Sequence, residues 1–132
     1  MAGRLFVFAI VSAVAMVSIS AVGSAANFRA MMEQDVKEIE KRLKLAGDKL
    51  AEVNKILTKA VERRMAILRE HKVTPGVRPP ISTLITVKSE MDRIRTENHR
   101  ELMKILSEPE MQIVEEMSER MRAKIRSIIL GE

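Results

Sequence analysis

From Met32 the apolar residues recur as Met32, Val36, Ile39, Leu43, Ala46, Leu50, Val53, Leu57 and Ala60, in alternating steps of four and three. That spacing is the a/d seam of a helix lying along another helix. Past Ala60 the stripe continues less strictly through Val61, Met65, Ile67 and Leu68. The pattern predicts one long helix over residues 28–71. Its weak point is Gly47-Asp48, because glycine costs about 1 kcal/mol against alanine inside a helix, and the pattern is compatible with a continuous, a kinked or a broken helix there. Residues 72–80 (KVTPGVRPP) hold three prolines and a glycine, so no helix runs through them and a turn is expected. A second long helix follows from Ile81, with Leu84, Val87, Met91, Ile94, Leu102 and Ile105 on one side.

The sharpest local signal is Leu106-Ser107-Glu108-Pro109-Glu110-Met111. Ser107 is placed to cap a new helix, and Glu110 three residues on reaches back to its backbone N–H. Leu106 and Met111 occupy the two ends of a hydrophobic staple. Pro109 falls in the first turn, where its missing N–H costs nothing. A last helix therefore starts here and carries Val114, Met117, Met121, Ile125 and Ile128. The expected fold is all-α: a long antiparallel helical hairpin with an additional C-terminal helix. A second copy would bury what remains of the seam, giving a homodimer.

The N-terminus changes where this fold is expected to work. A basic start through Arg4 precedes an uncharged apolar run of 18 residues, Leu5 to Val22, and then Gly23-Ser24-Ala25-Ala26. This is the layout of a secretory signal, although the run approaches the roughly 20 residues that span a bilayer. Residues 1–26 are read as a signal peptide or an N-terminal membrane anchor, and residues 27–132 as a periplasmic domain. Membrane contact is expected only through that segment, if it is retained.

Cysteine is absent, which excludes disulfides, thiolate chemistry and a lipid-modified N-terminal cysteine. The net charge is +5, but acids and bases interleave as i,i+4 pairs such as Glu33–Lys37 and Glu116–Arg120. Phe28 is the one aromatic residue past the apolar run, so there is no stacking platform, and nucleic acid is not an expected partner. No nucleophile–base pair, phosphate loop or HExxH motif occurs, and the chain does not read as an enzyme.

The capping segment resembles the LTxxQ motif of the periplasmic Spy/CpxP family, with Ser for Thr and Glu for Gln. Glu38-Ile39-Glu40-Lys41-Arg42-Leu43-Lys44, with Ala46 and Lys49-Leu50-Ala51-Glu52, resembles the first helix of CnrX-type metal sensors. His99-x-x-x-Met103 before Pro109-Glu110 is similar to the same sensors' ligand pair ahead of their last helix. The resemblance implies the heavy-metal-resistance and envelope-stress superfamily of CnrX, ZraP, Spy and CpxP: dimeric periplasmic hairpins that sense metals or bind unfolded proteins. It also implies His99 and Met103 as ligands for a divalent transition metal (Ni, Co, Zn or Cu). The sensors' N-terminal histidines have no counterpart, since Asn27 to Met32 contains none.

From the residues alone, His99 and Met103 lie one helical turn apart on one face, and two donors do not close a metal site. The alternative has Met103 in the core and His99 at its edge. Glu33, Glu101 or a second subunit would have to complete the set. His71 closes a helix, where the dipole favours it without further role. Met117 and Met121, at i,i+4, are the nearest approach to a copper(I) pair, though methionines at helical spacing also serve as core or as an adaptable binding face. Three functions follow as expectations: a metal or envelope-stress sensor or adaptor facing a membrane-bound signalling partner, a Spy-like holdase for unfolded clients, or a coiled-coil partner in an envelope complex.

Overall fold

The computed structural model describes residues 25–131, and residues 1–24 and 132, including almost all of the proposed signal or anchor, lie outside them. The described residues are all-helical, with four helices and no strand. α1 spans residues 25–43, α2 Gly47–Glu70, α3 Ile81–Met103 and α4 Glu108–Leu130. None of these helices is long and apolar enough to cross a membrane.

The single helix expected over 28–71 is two helices. α1 stops at a left-handed Lys44 (φ 54°), Ala46 is extended, and Gly47 (φ 64°) opens α2. The chain then doubles back: Arg29 of α1 pairs with Glu62 of α2, and Asn54 of α2 donates to Glu40 of α1. The four-three seam is thus satisfied within the chain, its first half packed on its second. Met32, Val36, Ile39 and Leu43 are buried, as are Val53, Leu57 and Ala60. Ala46 is exposed and Leu50 only half-buried, because they sit at the fold-back.

The other neighbours also run antiparallel. α2 and α3 join through Arg63–Glu97 (2.6 Å) and His71–Glu90 (2.8 Å), and α3 and α4 through Arg95–Glu119 and Arg122–Asp92 (3.6 Å). α4 returns along α1, with Lys124 Nζ 3.1 Å from the buried Asp35. The result is an up-down-up-down bundle.

The proline-rich connector begins as a Schellman turn. Lys72 is left-handed (φ 54°), Val73 N–H donates to Leu68 O, and Lys72 N–H donates to Arg69 O. Gly76 N–H then donates to Ile128 O (3.0 Å), tying the connector to the last turn of α4. The capping box at Ser107 forms as the sequence predicts: Ser107 N–H donates to Glu110 Oε1 (2.8 Å) and Glu110 N–H to Ser107 Oγ (3.4 Å). Both staple residues, Leu106 and Met111, are buried.

Lys49 Nζ also reaches Glu110 Oε1 (3.0 Å), so one carboxylate joins α2 to the start of α4. The Ser107 N–H and the Lys49 ammonium hold this carboxyl below its ordinary pKa. A depressed acid pKa stabilises the fold above the unfolded value, near 4.3, and that stability is lost as pH falls through the folded value. Urea unfolding should show Ser107→Ala about 1 kcal/mol less stable at pH 7. Glu110→Gln should flatten the loss of stability below about pH 4.

Candidate binding groove

α3 packs along α2 far more extensively than along α4. Where α3 and α4 diverge, next to the connector, they leave a groove of about 380 Å³. Leu84, Val87 and Met91 form one wall, and Ile125, Ile129 and Leu130 the other. Lys88, Arg122 and Arg126 give it a cationic rim, whose one carboxylate, Asp92, is taken by Arg122 (3.6 Å). Ile81 and Ile85 share a helical face with Lys88 and Asp92 and extend the apolar wall outward, 71% and 66% exposed. An apolar concavity with a few convergent polar groups is the usual form of a binding site.

The groove leads inward to a cavity of about 50 Å³ that shares Met91, Asp92, Arg122 and Ile125 with it and adds Arg64, Arg95, Ser118 and Met121. Arg64 reaches this cavity from α2. In the seam of α2, Val53, Leu57 and Ala60 are followed in register by residue 64, so a half-buried guanidinium takes the next seam position. Its Nη1 lies 3.7 Å from Met121 Sδ, a weak acceptor, and no carboxylate pairs with it among the described residues. Burial above all, then the charges of Arg63 and Arg95, push its pKa down to about 10. The arginines around it are each paired, Arg63 with Glu97, Arg95 with Glu119, and Arg122 with Asp92.

His99 and Met103 are both on α3, toward the end away from the groove. His99 is half-buried, and no hydrogen bond or ion pair engages it among the described residues. Met103 is 61% exposed, so it is not the core residue of the bland alternative. No group of three or more His, Cys, Asp or Glu side chains that could hold a metal occurs among the described residues. Glu33 and Glu101 therefore do not both gather around His99. His71 bonds Glu90 of α3 rather than serving only its own helix end. Met117 and Met121 are buried, and each thioether faces a guanidinium, Arg42 (3.1 Å) and Arg64 (3.7 Å) respectively, an unfavourable setting for a metal cation.

Sequence reasoning passed over Arg64 by following the apolar stripe sideways to Val61 and Met65. The available signal was a basic residue on the next beat of an unbroken four-three count. Replacing a half-buried, unpaired ion by an apolar residue of similar volume removes a desolvation cost without breaking an ion pair. Arg64→Met should therefore raise the thermal midpoint by several degrees. Because the lowered pKa leaves the unfolded chain binding more protons above about pH 10, that advantage should shrink as pH rises beyond it.

Compared with protein-family models, curated proteins and solved structures, the chain matches none.

Proposed function

We propose that this chain is an exported, non-catalytic binding protein of the envelope-stress type, an adaptor or holdase that takes apolar polypeptide segments into the α3–α4 groove. The observation that carries this reading is the groove itself. Between two neighbouring helices it leaves Leu84, Met91 and Leu130 half-buried over a floor of buried Val87, Ile125 and Ile129, with exposed Ile81 and Ile85 beside it and a rim of cations. Export is supported by the layout of residues 1–26, and the stress-protein class by the Leu-Ser-x-x-Glu resemblance at Leu106. Half-buried Met91 in the groove wall suits an adaptable surface, since a thioether side chain repacks against different partners at low cost.

The protein should suppress light scattering by an aggregating, chemically reduced model client without added metal. Leu84→Ser combined with Leu130→Ser, two half-buried lining positions, should remove most of that suppression while leaving the helical circular dichroism unchanged. Undiminished suppression by the double variant would place the working surface elsewhere.

A second reading, the metal sensor, is favoured by one observation: the His99 imidazole is unengaged and Met103 stands exposed one turn away. In that reading a divalent ion of the Ni, Co, Zn or Cu class is held by His99 and Met103 and completed by a second copy of the chain, and its binding changes the surface seen by a membrane-bound partner. Calorimetric titration should then give micromolar binding that is lost in both His99→Ala and Met103→Ala, with mass rising from monomer to dimer. Heats that neither substitution alters would remove the sensor reading.

A further inference from the structure

We propose that the inner end of the groove is a carboxylate-binding site, in which Arg64, with Arg122 at its mouth and Ser118 beside it, pairs with an acidic side chain set among the apolar residues of the bound segment. The inference rests on the groove reading and specifies what the groove selects.

The charge on Arg64 has no counterion among the described residues. A guanidinium removed from water is costly unless an anion and good hydrogen bonds replace the lost solvation. The arginines nearest to it each have a carboxylate within the bundle, Glu97 for Arg63, Glu119 for Arg95 and Asp92 for Arg122, while Arg126 on the outer rim of the groove has none among the described residues. Arg64 has the Met121 sulfur at 3.7 Å, a contact that a carboxylate would readily displace. The planar fork of arginine suits a carboxylate, which it can meet with two parallel N–H···O bonds.

The space fits as well. The cavity in front of Arg64 measures about 50 Å³, well above the ~10–15 Å³ that admits one water, and it opens into the groove past Met91, Asp92, Arg122 and Ile125. An occupant can therefore lay apolar side chains against Leu84, Met91 and Ile129 while sending one carboxylate inward.

The groove's length distinguishes a polypeptide from a lipid. Leu84 to Met91 covers two turns of α3, about 10 Å at 1.5 Å per residue, which matches apolar anchors one and two turns apart on an amphipathic helix. It falls short of the ~15 Å that an acyl chain spans in one leaflet. The cationic rim of Lys88 and Arg126 attracts the same acidic segment from a distance.

The experiment uses the exported protein as the cell processes it. Its probes are two fluorescent amphipathic helical peptides, identical except for Glu or Gln at the centre of the apolar face, followed by anisotropy. The wild type should bind the Glu peptide roughly tenfold more tightly than the Gln peptide, the size of one charge-assisted hydrogen-bonded pair. Arg64→Met should equalise the two while keeping the affinity for the Gln peptide, and Arg64→Lys should retain part of the preference. A Glu preference that survives in Arg64→Met overturns the inference, as does equal binding of both peptides by the wild type, which leaves the groove reading standing. If the wild type binds neither peptide, the groove reading fails and takes this one with it. If decanoate then binds in an Arg64-dependent manner where decanol does not, the site belongs to a lipid amphiphile instead.

Discussion

An apolar strip that runs from Met32 to Ala60 has to be covered along its whole length, and the rest of the architecture follows from how the chain does this. As one straight helix of 44 residues, 28–71 would extend about 66 Å and leave its seam to another molecule. Folded at Lys44–Gly47, the two halves cover each other instead, and α3 and α4 close the remaining sides. The fold-back sets a left-handed backbone at a lysine and a glycine. That local cost is small beside the burial of seven seam residues that it permits.

The elements legible in the sequence were those fixed by local chemistry. The start of α4 rests on a cap, a staple and a first-turn proline within six residues, and all three act as their residue types require. The connector rests on three prolines that cannot donate to a helix. The fold-back was not legible in the same way, because Lys44-Leu45-Ala46 contains no residue that forbids a helix and Gly47 only weakens one. A four-three seam states that a helix packs on a helix, and it is silent on whether the partner is another chain or the next stretch of the same one. The reading that asked for a second copy was a choice between these that periodicity cannot make.

The candidate site was less legible for a related reason. His99 and Met103 stand out in a sequence because histidine and methionine are metal donors, and in the bundle His99 is half-buried, Met103 is exposed, and no cluster of three or more His, Cys, Asp or Glu forms among the described residues. Arg64 does not stand out, since basic residues are common here, and several of them, among them Arg29, Arg63, Arg95 and Arg122, take part in ion pairs between helices. Only the register separates Arg64 from them: the same side chain one position away would have been another surface cation. What a charged group does in a helical bundle is set by its angle about the helix axis, which composition does not record.

That angle also brings Arg64 to the small cavity at the inner side of the groove. A guanidinium in the α2 seam is larger than the alanine at position 60 below it and resists being sealed over by apolar side chains. α3 meets α4 less extensively than it meets α2, and the small cavity that Arg64 lines shares Met91, Asp92, Arg122 and Ile125 with the groove between them. A half-buried charge without a counterion in the seam costs stability at the place where the core is least closed. On this argument Arg64 is the residue at which the seam of α2 gives up an apolar contact for a charge.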